Sequence, residues 1–339
     1  MGPMTGICPA IAFAIMAVFS GGGLMGQPAM PSVVVTNYHG WTNALLLGNG
    51  LVEALVVPEA GRVMQFRFAG STNGPFWENS KLYGTTSSST NWSTTGAFGG
   101  DKAWPAPQND WGGWPPPTGF DGSPYTYGIT NGVVTITGPV ESGYKIQVAR
   151  TIRLDFNRAV MRINTVFQRF DAATRTRPVG VWIITQVSDP AGIYLPVPSQ
   201  SIFAPADYIQ LGSGLPTQWK NAGGLISFTR DPAAQRHLGF DADSLVWVGG
   251  DLAMRIDAPR VAGLGKTNYS NGGCNTVAYT NPNPVPYVEL EAFSPLANLP
   301  AGQSMSFVTT YTLFHRTETN PETEARKILG ALPGGSPGP

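Results

Sequence analysis

The sequence predicts an all-β protein, a large antiparallel sandwich of two twisted sheets in a single domain, with closure into a barrel the lesser option. Three observations carry this expectation. Strand-length runs along most of the chain alternate apolar and polar residues at a period of two, as in Arg62-Val63-Met64-Gln65-Phe66-Arg67-Phe68. Asn49-Gly50 and Asn131-Gly132 stand between such runs as type I′ hairpin signals. Gly (42) and Pro (30) are abundant enough to interrupt helices almost everywhere, and only Pro321–Leu329 reads as one.

Taken from the amino terminus, residues 1–30 read as a signal peptide. Ile11 to Phe19 is an apolar run of h-region length, followed by Gly21-Gly22-Gly23 and small residues up to Ala29. The run is too short for a comfortable bilayer span, so no membrane insertion is expected after processing. The expected location is periplasmic or extracellular. Cys8 and Cys274 are the only cysteines, so no disulfide framework exists, and loss of the leader would leave Cys274 unpaired.

The β pattern starts at Val33. Leu51–Val57 and Arg62–Phe68 form the first clear pair, and Tyr125–Thr130 and Val133–Thr137 flank the second Asn-Gly. Strand runs follow at Lys145–Leu154, Ala159–Arg169 and Val179–Val187, then at Leu225–Thr229, Leu245–Val248 and Leu252–Asp257. Asn275–Tyr279, Tyr287–Phe293 and Met305–Phe314 complete the set. Ser188–Gln218, rich in Pro and Ser, reads as a rim loop, and 330–339 as a flexible tail. The domain is therefore expected over 33–329.

Between the strand pairs lies the most unusual stretch, Gly99-Gly100-Asp101-Lys102-Ala103-Trp104-Pro105-Ala106-Pro107-Gln108, running on through Trp111 and Trp114 into Pro115-Pro116-Pro117. Its Pro and Gly density predicts a long irregular loop rather than a helix or central strand. Trp77 and Trp92 lie upstream. Indole faces beside Asp101, Lys102 and Gln108 suit a sugar, whose C–H groups stack on rings while its hydroxyls take polar partners. The alternative is that the Trp and Pro side chains only pin the loop to the sandwich.

Composition narrows the partners. Charged residues are 12% of the chain and the formal net charge is zero, so the clustered Lys and Arg of a nucleic-acid or anionic-membrane surface are missing. There is no Gly-x-Ser-x-Gly elbow, phosphate-binding Gly loop or His-Glu-x-x-His, and no cofactor or metal pattern. His39, His237 and His315 are far apart; the first two, beside Trp41 and Arg236, are the better candidates for a role. Asp241 and Asp243 read as solvated loop residues. Glu289 and Glu291 stand out because two positions along a strand put both carboxylates on one face. Such a pair needs water, a cation, or a site where one takes up a proton.

Several blocks together resemble a known family. These are Leu47-Gly48-Asn49-Gly50-Leu51-Val52-Glu53, Gly61-Arg62-Val63-Met64, Phe76-Trp77-Glu78-Asn79, Gly100–Gln108, Tyr269–Cys274, Val277–Asn281, Tyr287–Leu296 and Leu299–Ser304. They resemble a family of exported bacterial proteins, a domain of unknown function grouped with the galactose mutarotase-like fold. The resemblance covers nearly all of the mature chain, and the Gly-Asp-Lys-x-Trp-Pro-Ala-Pro-Gln block is its specific part. It implies a β-supersandwich with a carbohydrate-type site on a concave face.

In aldose 1-epimerases of this fold, a glutamate in a Leu-Glu segment removes the anomeric proton while a histidine protonates the ring oxygen. Glu291 after Leu290 is similar to that glutamate. The histidine-bearing strand would fall at Val179–Gln186, which has no histidine, so Lys102, Asp101 or His237 would have to serve as the donor.

The expected site thus has Glu291, Lys102 and Asp101 as acid–base candidates. Trp104, Gln108, Trp111, Trp114, Trp77, Arg62, Glu289 and His237 are the substrate-binding candidates. The expected protein is a monomer with a carbohydrate ligand. It is either an epimerase-like enzyme, a non-catalytic glycan-binding protein of the cell envelope, or a polysaccharide-cleaving enzyme on the same fold.

Overall fold

The computed structural model describes residues 30–88 and 97–330. The leader with Cys8, Trp92 and the tail beyond Gly330 lie outside the described residues. In chain order the strands are β1 (Ser32–Tyr38), β2 (Trp41–Gly48), β3 (Val52–Val57), β4 (Arg62–Phe68), β5 (Asp101–Ala106), β6 (Thr126–Thr130) and β7 (Val133–Thr137). Then come β8 (Ile146–Leu154), β9 (Val160–Arg169), β10 (Gly180–Ser188), β11 (Gly192–Pro196), β12 (Ile209–Gln210), β13 (Thr217–Ala222) and β14 (Leu225–Thr229). The last are β15 (Arg236–Phe240), β16 (Ser244–Gly249), β17 (Leu252–Asp257), β18 (Thr276–Thr280), β19 (Tyr287–Phe293) and β20 (Ser304–His315), before a helix, α1 (Pro321–Gly330).

These strands build two antiparallel sheets. The first runs β1-β2-β3-β4-β5-β10-β19-β18-β15-β12 and the second β13-β14-β11-β16-β17-β20-β9-β8-β7-β6. Side chains alternate between the faces, so Val181, Ile183 and Leu290 of the first sheet meet Val148, Ile163 and Leu313 of the second in one apolar core. The other face of the first sheet is covered by a separate apolar cluster around Trp41, Ala44, Met64 and Phe98 at one end, and over β5, β10, β19, β18 and β15 it carries polar and aromatic groups. That division positions the site.

Most strand expectations hold within a residue or two, and the helix does as well. Asn320 caps α1, its Oδ1 accepting from the N–H groups of Glu322 (2.9 Å) and Thr323 (3.1 Å). Ala325 and Ile328 then bury themselves against Tyr194, Val246 and Ala253 of the second sheet.

Four expectations need correction. Asp101–Ala106 is strand β5 inside the first sheet, not part of a loop. It pairs along its length with β10, but with β4 only at Asp101, opposite Val63. Beyond Asp101 its second edge has no strand beside it, which is where a proline such as Pro105 is tolerated. The rim loop expected over Ser188–Gln218 contains β11, placed between β14 and β16. Its alternation is masked because Ile193 and Leu195 face the core while Tyr194 is buried on the helix side. Asp241 is buried, its carboxylate accepting from Ile202 N–H (2.7 Å) and the Ser201 hydroxyl (3.0 Å), whereas Asp243 is exposed. Finally, of the two Asn-Gly turns, both residues have positive φ only at Asn131-Gly132. At Asn49-Gly50 only the glycine does, and the Asn49 side chain holds the turn by accepting from the N–H groups of Leu51 and Val52.

The entry to β5 is set by Gly99-Gly100. Gly99 has φ +98°, and a Cβ there would collide with the Trp77 carbonyl oxygen. Gly99→Ala is therefore expected to destabilise the fold by about 2–5 kcal/mol, combining left-handed strain with overpacking. A shift in the urea midpoint at unchanged m-value would read this.

Candidate functional site

Register decides which side chains share the open face of the first sheet. Antiparallel partners lie on the same face, and Lys102 pairs with Ile184, Trp104 with Trp182, Ile184 with Glu291, and Gln186 with Glu289. Across the next ladders Glu289 pairs with Tyr279, and Tyr279 with His237. Five strands (β5, β10, β19, β18 and β15) thus deliver Lys102, Trp104, Trp182, Glu289, Glu291, Tyr279 and His237 to one surface. With Gln108, Trp114, Gln235 and Tyr287 they line a cavity of about 510 Å³, a size that accepts a small organic ligand.

Its charged groups interact closely. Trp182 Nε1 donates to Glu291 Oε2 at 2.7 Å, and His237 Nε2 lies 3.8 Å from Glu291 Oε1. Burial, reinforced by the neighbouring Glu289 charge, pushes the Glu291 carboxyl well above the usual carboxylate range. Burial likewise raises Glu289, opposed by Lys102, whose Nζ is 3.8 Å from Glu289 Oε1. Burial, with help from Arg62, brings the Lys102 ammonium down to about 8, and its Nζ sits 4.2 Å from the centre of the Trp104 ring. His237 is lowered by burial. Burial thus shifts both groups towards their neutral forms, the imidazole of His237 and the carboxylic acid of Glu291.

A second cavity, of about 410 Å³, adjoins the first and shares Ala97 and Tyr287 with it. Trp77, Glu78, Asn79, Ser80 and Lys81 form one side of it, and Asn281 with Pro284–Tyr287 the other.

Among solved structures, this architecture matches a galactose mutarotase-like protein from Lactobacillus casei ATCC 334, with a TM-score of 0.52 and 10% identity over 80% of this chain and 100% of that one. It also matches a galactose mutarotase related enzyme from Lactobacillus acidophilus, with a TM-score of 0.50 and 11% identity over 81% of this chain and 98% of that one. The fold is galactose mutarotase-like. No family model and no curated protein matches the sequence.

Within this galactose mutarotase-like frame, β10 carries Trp182 on the segment where the resemblance places a histidine, and the imidazole comes instead from β15. Of the residues singled out from sequence, Lys102, Trp104, Gln108, Trp114, Glu289, Glu291 and His237 do come together. Trp77 lines the adjoining cavity.

Three do not belong to the site, each for a visible reason. Asp101 alternates to the core face, where it is fully buried with Arg150, Thr185 and Tyr311. Arg62 is fully buried and engages Asp121 through both carboxylate oxygens (2.7 Å each) and the Gly99 carbonyl (2.9 Å). Trp111 is 4% exposed and donates Nε1 to the Pro105 carbonyl (2.8 Å).

Trp104 is a wall rather than an open platform. It is 4% exposed and its Nε1 is held by Asp121 Oδ2 at 2.7 Å, whereas Trp114 is 56% exposed.

Five lining residues escaped the sequence reading: Ala97, Trp182, Gln235, Tyr279 and Tyr287. Tyr287 was within reach of it, since it shares the strand face of Glu289 and Glu291. Of the other histidines, His39 stacks on Tyr83 (4.0 Å) beside Glu78, and His315 stacks on Phe68 (3.7 Å).

Proposed function

We propose that the cavity receives the anomeric centre of a sugar and that His237 and Glu291 move protons across it, as an aldose 1-epimerase-like activity requires. The observation that carries this reading is the 3.8 Å separation of His237 Nε2 and Glu291 Oε1 inside a cavity walled by indoles. The anomeric hydroxyl and the ring oxygen are bonded to the same carbon, so donor and acceptor must sit close together to reach one each. His237 Nε2 is buried and makes no hydrogen bond within the described residues, which leaves it available to a hydroxyl.

The step balances as follows. Neutral His237 takes the proton of the anomeric hydroxyl as C1=O1 forms. The C1–O5 bond breaks, its electron pair goes to O5, and Glu291 protonates that oxygen. After rotation about C1–C2 the same transfers run backwards, closing the other anomer and restoring both groups. Burial thus favours Glu291 as donor and His237 as acceptor in the first half, the reverse of the roles implied by the family resemblance. Lys102 and Glu289 are placed to hold ring hydroxyls.

A purely glycan-binding role drew its support from the lack of a histidine on β10. His237 supplies an imidazole from another strand, and the enzymatic reading is preferred for that reason. Polarimetry of freshly dissolved single anomers, run on each sugar the protein binds, tests it. A bound sugar whose anomers equilibrate at the uncatalysed rate would leave the binding role.

The competent form has His237 neutral and Glu291 protonated, so kcat/KM should be bell-shaped in pH. Activity is lost on the acid side as His237, already lowered, takes up a proton. It is lost on the alkaline side as Glu291, already raised, gives one up, the two limbs belonging to the interacting pair. The Trp182 hydrogen bond favours the Glu291 carboxylate. Trp182→Phe is accordingly expected to move the alkaline limb to higher pH, as a pH–rate series would reveal.

A further inference from the structure

We infer that the ligand is an oligosaccharide, with its reducing-end unit in the His237–Glu291 cavity and the next unit in the adjoining cavity on Trp77. This rests on the sugar-site reading above and specifies its substrate class. Either cavity is large enough for a pyranose unit, and the two, of about 410 and 510 Å³, meet through the shared walls Ala97 and Tyr287.

Aromatic rings run continuously between them. Trp77 lies 4.7 Å from Tyr287, Tyr287 lies 6.4 Å from Tyr279, and Tyr279 lies 5.8 Å from His237, centroid to centroid. These steps are comparable to the length of one sugar ring, so the row, tilted between Trp77, Tyr287 and Tyr279 and edge-on at His237, offers a succession of aromatic contacts to successive units.

The second cavity is also a built one. The Trp77 backbone is tied into the first sheet, its N–H donating to the Gln186 carbonyl (2.9 Å) and its carbonyl accepting from Gly100 N–H (2.9 Å). Glu78 is fixed by Tyr38 Oη (2.6 Å) and Gln65 Nε2 (3.0 Å). The indole therefore meets its ligand without ordering a loop. Asn79, Ser80, Lys81 and Asn281 surround it with donors and acceptors for hydroxyls.

The test is a length series. An array of hexoses, amino sugars and uronic acids, each as mono- to hexasaccharides, identifies the reducing-end sugar, and calorimetry then compares that sugar with its di- and trisaccharides. Affinity is expected to rise about tenfold or more from one unit to two, the order of a well-packed aromatic contact. In Trp77→Ala the ratio of disaccharide to monosaccharide affinity should fall towards one, and Trp77→Phe should keep part of the gain. Thermal melts of each variant establish that it is folded, and the wild-type series stands without them.

Equal affinity for one unit and for several would overturn the two-unit inference and leave the sugar site standing. A gain with length that survives Trp77→Ala would overturn the assignment of the second unit to this cavity. Absence of binding to any carbohydrate would overturn both.

Discussion

Glu291→Gln is expected to slow anomer equilibration by about 10²–10⁴-fold, the range by which a positioned acid or base accelerates a proton transfer. The replacement is nearly isosteric and still accepts from Trp182 Nε1, so the cavity wall stays in place. Binding should change by no more than about 1 kcal/mol, the worth of one weakened hydrogen bond. The loss should accordingly appear in kcat rather than in KM. His237→Gln is expected to be similarly slow. Because the two groups act in the same step, one taking a proton from the sugar as the other gives one, the double variant should be scarcely slower than either single one. Fully additive losses, or a Glu291→Gln protein that equilibrates its sugar at the wild-type rate, would contradict the paired mechanism.

Asp101→Ala is expected to cost about 3–5 kcal/mol of folding stability, the penalty of leaving a buried charge without its partner. Arg150 is fully buried between the sheets, with its guanidinium on the Asp101 carboxylate and NH1 on the Asp101 backbone carbonyl (2.8 Å). Thr185 Oγ1 (2.7 Å) and the Tyr311 hydroxyl take the other carboxylate oxygen. This one side chain therefore joins β5, β8, β10 and β20 across the core. Replacing both charges together, as in Asp101→Leu with Arg150→Met, should recover part of the loss, since a matched apolar pair leaves no buried charge unpaired and the Thr185 and Tyr311 hydroxyls, 3.3 Å apart, can bond each other. Urea denaturation of the three variants reads both halves of this prediction.

The contrast between Asp101 and its neighbour Lys102 shows how far the sequence could be read. Alternation exposed the two sheets and placed Glu289 and Glu291 on one face, because those strands have one polar and one apolar side. It failed at β5 and β11, and it passed over β12, β13 and β15. In β5 the density of Pro and Trp concealed a strand that runs half along an edge. In β11 both faces are buried, which erases the period of two. In an irregular loop nothing separates Asp101 from Lys102. As a strand, one must face the core and the other the cavity.

His237 was marked in the sequence only by its neighbour Arg236, and its place in the cavity follows from a register that spans β15, β18 and β19. Trp182 was visible only as the residue near a missing histidine. Its hydrogen bond to Glu291 depends on a ladder between segments about a hundred positions apart.

The tie between Asp101 and Arg150 has a consequence for how such a protein can change over generations. It grips the underside of the strands whose upper side carries Lys102 and Trp182, so the backbone beneath that part of the cavity is anchored by groups on the opposite face of the sheet. Mutations at the upward positions can then exchange one ligand preference for another while folding goes on unharmed. Mutations at the downward positions would be purged before any new preference could be tried. Lineages built on this plan should diverge in what they recognise far sooner than in what holds them together.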